Sequence, residues 1–151
     1  MTTLVITRGL PGSGKTTYAR RWVADDPNNR VRVNRDDLRA MMDNGQFILD
    51  VTEPRIRASR DALVRFHLAE GTSVIVDDTN LPRSAVHYLR TLARGARCRF
   101  QVVNFTSVPL QTCIARDAAR GERAVGAEVI KDMHARFLAG SPCHSPGATR
   151  T

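Results

Sequence analysis

Nine residues near the start of the chain, Gly9-Leu10-Pro11-Gly12-Ser13-Gly14-Lys15-Thr16-Thr17, have the types and spacing that hold phosphate, satisfying G-x-x-x-x-G-K-[ST] in full. Glycines let the backbone take left-handed angles, so that successive N–H groups converge on phosphate oxygens. A helix starting directly after the loop adds the partial positive charge of its first turn. Gly12, Ser13, Gly14 and Thr17 would line such a nest. Lys15 would reach the β- and γ-phosphates as a compact cation, and the Thr16 hydroxyl would sit on a magnesium ion bridging the same oxygens. Lys15 and Lys131 are the only lysines in a chain whose other cationic side chains are arginines. A lysine kept here suits a slot too tight for a planar guanidinium.

Three further groups could act on what the loop holds. In Asn34-Arg35-Asp36-Asp37-Leu38-Arg39, Asp36 and Arg39 are three apart and would share a helix face. That suits a carboxylate taking a proton from a hydroxyl beside an arginine that holds a phosphate on the same acceptor. A plainer use is open too, with Asp36 or Asp37 capping the helix and complementing its dipole. Asp77 and Asp78 follow the apolar run Ser73-Val74-Ile75-Val76, where NTPases of this kind hold magnesium. Successive residues of an extended strand face opposite sides, so only one of the two can face the phosphates. Arg116 and Arg120, four apart, suit the charge that spreads over a transferring phosphoryl group, or simply end a helix with cations.

These groups need elements to gather them. Thr3 to Thr7 is a short β-branched strand, and Thr17 to Ala24 has helical spacing with Tyr18 and Trp22 on one face. Asp25 to Asn29 is a turn cluster before a second strand, Val31 to Val33, and a helical segment to Met42. Asp43-Asn44-Gly45-Gln46 reads as loop, and the stretch on to Pro54 carries the weakest structural signal of the core. From Glu53 to Glu70 the spacing of Ile56, Leu63, Val64, Phe66 and Leu68 suits a helix, with Arg55, Arg57, Arg60 and Arg65 expected in solvent. The strand Ser73 to Val76 follows, then a helix from Pro82 to Gly95 with Val86, Leu89 and Leu92 inward. A strand over Arg97 to Phe105, a helix over Leu110 to Ala119 and a final helix over Val125 to Ala139 complete the order, the last with Val129, Ile130, Met133 and Phe137 inward.

Strands alternating with helices imply an α/β, three-layer fold of P-loop NTPase type: a central parallel sheet of about four strands flanked by helices, with a helical lid. In a parallel sheet the carboxyl ends of the strands share one crevice, which brings Asp36 beside the phosphate loop. One domain over residues 1–139 is expected, with 140–151, rich in proline, glycine and serine, as a flexible tail.

The charge of +8 and pI near 10.6 point toward nucleic acid, although arginines spread over solvated faces would give the same total. No apolar run approaches membrane-spanning length, and the first one breaks at Arg8, so a cytoplasmic protein is expected, with no membrane partner. Cys98, Cys113 and Cys143 share no metal-ligand spacing and are expected to be reduced structural thiols.

Taken together, the phosphate loop, Asn34 to Arg39, Asp78-Thr79-Asn80-Leu81, and Arg116 with Arg120-Gly121 before Ala124-Val125 resemble the kinase domain of the phage-type polynucleotide 5′-hydroxyl kinases. The resemblance implies transfer of the γ-phosphate of ATP or another NTP to the 5′-hydroxyl of DNA or RNA. By it, Asp36 is the general base, Arg39 grips the phosphate next to the acceptor nucleoside, and Lys15 and Thr16 serve the donor phosphates and Mg2+. Arg120 and Arg116 belong to a lid, and Asp36 or Asp78 reaches the metal through water. Asp78 matches the family's acidic residue before Thr-Asn; Asp77 is a departure and a second candidate for indirect metal contact. Gly126 also departs, standing where the family pattern has proline, which bears on the lid's rigidity. Family members are often oligomeric and often carry a 3′-phosphatase domain, which is absent from this sequence. A P-loop small-molecule or nucleoside kinase and a nucleotide-binding switch without transfer activity are the alternatives.

Overall fold

The apolar alternation of two strands decides which helices cover which side of the sheet. The structure is a computed structural model and describes residues 1–140. Strands β1 (Thr3–Arg8), β2 (Arg30–Val33), β3 (Ser73–Val76) and β4 (Arg99–Asn104) form one parallel sheet in the order β2-β3-β1-β4. Six helices accompany them: α1 (Lys15–Ala24), α2 (Arg35–Asp43), α3 (Thr52–Ala69), α4 (Arg83–Gly95), α5 (Leu110–Ala118) and α6 (Ala127–Phe137). Leu4, Ile6, Val74 and Val76 pack with Ile56, Val64 and Leu68 of α3 and Leu89 and Leu92 of α4. Val5 and Ile75, one residue out of phase, meet Tyr18, Ala19 and Trp22 of α1 on the other face. β1 and β3 are apolar throughout their centres because both faces are covered, as parallel strands require.

A third apolar cluster lies at the carboxyl edge of the sheet. Leu10 of the phosphate loop, Leu81 after β3, Cys113 of α5 and Ile130 of α6 are all buried there, so the loop and the last two helices share a core. The fold is the three-layer α/β arrangement expected, with β3 standing between β1 and β2.

Several local expectations are corrected. The first helix begins at Lys15 and the third at Thr52, each slightly before its expected start. Leu63 and Phe66 are exposed, and so is Val129, because only one stripe of α3 or α6 meets the core. Arg60 is 4% exposed where solvent was expected, since carboxylates on two sides accompany it into the interior. Cys98 and Cys113 are free thiols; Cys143 and the expected tail from residue 141 lie outside the described residues. Among the described residues no helix is long and apolar enough to cross a membrane.

Candidate active site

The phosphate loop folds as its residue types demand. Gly12 (φ 79°) and Gly14 (φ 102°) take left-handed angles, Gly14 being the residue that enters α1. A Cβ on Gly12 would overlap the Cys113 carbonyl oxygen and lie 3.2 Å from the Asp117 backbone nitrogen, so the loop rests directly on α5. Gly9 N–H donates to Thr79 O (3.0 Å), Asn80 Nδ2 to Thr7 O (2.9 Å), and Arg8 Nη2 to Leu81 O (2.6 Å). The Thr79-Asn80-Leu81 segment thus stitches the end of β3 to the end of β1.

Lys15 is buried and folded back on the loop, donating to Leu10 O (2.6 Å) and lying 3.4 Å from Ser13 Oγ. Burial lowers its pKa to about 8. Asp77, at the end of β3, accepts from Arg32 Nε on Oδ2 (2.8 Å), while its buried Oδ1 has no partner among the described residues. Burial raises the Asp77 pKa; the Thr16 hydroxyl and Lys15 act in the opposite sense, Thr16 lying beyond hydrogen-bonding geometry yet near enough to favour the carboxylate. A hydroxyl and one open carboxylate oxygen fit a magnesium ion that keeps most of its ligands as phosphate and water. Asp78 points elsewhere. Its Oδ1 accepts Arg35 N–H (3.0 Å), and its Oδ2 accepts Arg35 Nε (3.1 Å) and Arg60 Nη1 (3.4 Å).

On the opposite wall, Asn34 caps α2 by accepting Asp37 N–H (2.9 Å), which leaves Asp36 free of that duty. Asp36 instead pairs with Arg39 Nη1 (2.5 Å), and its side chain is 83% exposed. Arg39 also donates two parallel bonds to Glu53, Nε to Oε2 (2.7 Å) and Nη2 to Oε1 (2.5 Å). These bonds raise the Arg39 pKa and hold the Glu53 carboxyl below its ordinary value. Arg116 Nη1 reaches Ser13 O (3.5 Å), and Arg120, just past the end of α5, lines the cleft with Asp117 3.8 Å away.

Gly12, Gly14, Lys15, Thr16, Asp36, Arg39, Glu53, Asp77, Asp78 and Arg120 border one cleft of about 650 Å³, whereas Ser13, Thr17 and Arg116 are not part of its lining. The sequence profile of the AAA domain family AAA_33 matches residues 4–139. The chain belongs to that family. The chain is 28% identical over 137 residues to an L-seryl-tRNA(Sec) kinase of Methanococcus maripaludis, covering 89% of the chain and 52% of that protein. It is 28% identical over 149 residues to a putative bifunctional polynucleotide kinase/RNA ligase of Autographa californica nuclear polyhedrosis virus, covering 89% of the chain and 21% of that protein. A chain in the structure of the Pnkp1/Rnl/Hen1 RNA repair complex superposes with a TM-score of 0.77 at 30% identity, covering 91% of this chain and 44% of that one. The chain therefore spans about half or less of the length of these relatives. This AAA_33 member is a P-loop domain, similar over 89% of its length to that putative viral polynucleotide kinase/RNA ligase.

Two features of the AAA_33 site lay outside the sequence reading. Glu53, which clamps Arg39, had no signal beyond its place in the first turn of a helix. The cleft also has apolar lips, Phe47 and Leu49 on one side and Val125, Val129 and Phe137 on the other. The Arg39 guanidinium lies over the Phe47 ring at 5.2 Å.

Proposed function

We propose that this P-loop domain transfers the γ-phosphate of ATP or another NTP to the 5′-hydroxyl of a polynucleotide, DNA or RNA. The observation that carries the reading is the Asp36–Arg39 pair facing the phosphate loop across one cleft. Asp36 takes the proton of the acceptor hydroxyl, and its exposure leaves room for that hydroxyl. Arg39 suits an acceptor that carries its own phosphate, Glu53 holding one edge of its guanidinium and so fixing which N–H groups face the cleft. The apolar lips suit a nucleobase, whose faces pack on aromatic and aliphatic side chains. Lys15, Arg116 and Arg120 balance charge on the transferring group. Magnesium supplies further charge neutralisation when bound. Thr16 would hold it with the open oxygen of Asp77, Asp78 being engaged by Arg35 and Arg60.

The test is transfer of label from γ-labelled ATP, with magnesium, to a 5′-hydroxyl oligonucleotide. Competing acceptors are free nucleosides, a seryl-tRNA and small hydroxylated metabolites. Label on the oligonucleotide, in DNA or RNA form, is the expected result. Preferential labelling of seryl-tRNA, a nucleoside or a metabolite overturns the acceptor assignment. Nucleotide binding with no transfer to any of them leaves a switch.

A further inference from the structure

Three buried or half-buried groups that the transfer chemistry does not use form a line from the outer face of the molecule to the acceptor wall of the cleft. Arg60 of α3 has Nε 3.0 Å from Asp61 Oδ1 and Nη1 3.4 Å from Asp78 Oδ2, and both carboxylates are buried with it. The other oxygen of Asp61 accepts the hydroxyl of Tyr88 on α4, 2.5 Å away. On the far side of Asp78 stands Arg35, whose backbone N–H and Nε both donate to it, and which is the first residue of α2 and the neighbour of Asp36. Asp78 is thus held from α2 by Arg35 and from α3 by Arg60, while Arg60 makes no hydrogen bond to α2 itself among the described residues.

A buried charge between two opposite charges is strongly coupled to both, because losing one partner leaves the others without compensation in a poorly screened interior. We infer that Arg60 is a positioning residue for the acceptor half of the site. It fixes Asp78, and through Asp78 the first turn of α2 that carries Asp36. Asp61 and Tyr88 fix Arg60 in turn. Arg60 touches neither substrate nor the phosphate loop, so its removal weakens the acceptor side and spares the donor side.

Arg60→Gln, Arg60→Lys and Tyr88→Phe test this. Amide hydrogen exchange needs no assumption about activity: the Arg35 N–H, held by Asp78, exchanges about tenfold faster in Arg60→Gln, while amides of β1 and α1 keep their wild-type rates. The kinetic arm rests on the kinase reading proposed above. The acceptor KM rises about tenfold with the ATP KM unchanged, and Arg60→Lys recovers part of the loss. Tyr88→Phe keeps every charge and removes one hydroxyl from a half-exposed ring, so it stands in if Arg60→Gln does not fold; both readouts then move about twofold in the same direction. Wild-type exchange at Arg35 in the folded variant overturns the inference, as does a joint rise of acceptor and ATP KM, the mark of general loosening. A wild-type chain that labels no acceptor, with Arg35 exchange still responding, defeats the kinase reading and leaves this inference standing.

Discussion

The carboxylate of Asp117 accepts the backbone N–H of Gly126 at 2.9 Å, a bond that proline in that position could not make. Its other oxygen accepts Val125 N–H at 3.0 Å, and Gly126 sits at φ 107°, which proline's ring also forbids. The departure from the family pattern is therefore matched by a clasp of its own. Gly126→Pro loses both the bond and the angle, which costs about 2 kcal/mol and lowers the Tm by about 4–8 °C in a domain of this size. Thermal unfolding of the variant checks this; an unchanged Tm would show that the clasp carries no stability.

Lys15 is expected to take up a proton when nucleotide binds in mildly alkaline solution. Its pKa of about 8 reflects burial that the charge of Asp77 only partly offsets, and phosphate oxygens supply further negative charge. At pH 8.5 about three-quarters of the Lys15 amines are neutral in the free protein and recharge on binding, whereas at pH 6.5 uptake by this group is near zero. Titration calorimetry in buffers of different ionisation enthalpy reads the difference directly. Equal uptake at both pH values would contradict the assignment.

The bond between Glu53 and Arg39 makes stability depend on pH in one direction. The folded-state pKa of Glu53 is depressed, so its contribution is present in full above its ordinary value of 4.5 and is lost as pH falls through the lower, folded value. Glu53→Gln is expected to lose about 1.5–3 kcal/mol at pH 7, because Arg39 keeps only the exposed Asp36 as a charged partner, and progressively less below about pH 4. Urea unfolding across that range measures the gap. On the kinase reading the same variant also raises the acceptor KM and spares that of ATP.

Asp77 and Asp78 should fail differently. Asp77→Asn leaves the fold intact and raises the magnesium concentration needed for half-maximal nucleotide binding, since its carboxylate oxygen without a partner among the described residues becomes neutral. Asp78→Asn leaves Arg60 and Arg35 short of an anion and lowers stability by several kcal/mol, with a far smaller change in metal dependence. Reversed signatures would exchange the two roles.

Asp36→Asn is the sharpest test of chemistry. A rate loss of about 10²–10⁴ with nucleotide affinity retained is expected of a general base. Nucleotide-dependent function untouched by the substitution would favour a switch.

The sheet, the phosphate loop and the order of the helices were legible because they rest on local signals: apolar runs of strand length, helical periodicity, and glycines that only a tight anion-binding turn requires. The pairing of Asp36 with Arg39 was legible from helix geometry, and the capping alternative fell because Asn34 takes the cap. What could not be read were relations between distant segments. Arg60 shares its helix with the exposed Arg57 and Arg65; the adjacent Asp61 pairs with it, but its burial also rests on Asp78, 18 residues away, which helical spacing could not show. Glu53 finds Arg39 across 14 residues for the same reason. Val129 was assigned inward because helical spacing defines an apolar stripe without saying how wide the core beneath it is.

The contact between Gly12 and α5 changes what can move in this molecule. A helix whose root lies against the phosphate loop cannot swing as a gate without dragging the donor site with it. The travelling part is confined to the short span from Ala119 to Gly126, tethered at its far end to the buried Asp117 and carrying Arg120 between. On the kinase reading, Arg120 is therefore carried by a latch a few residues long on a fixed post. A side chain at Gly12 would lift the post itself.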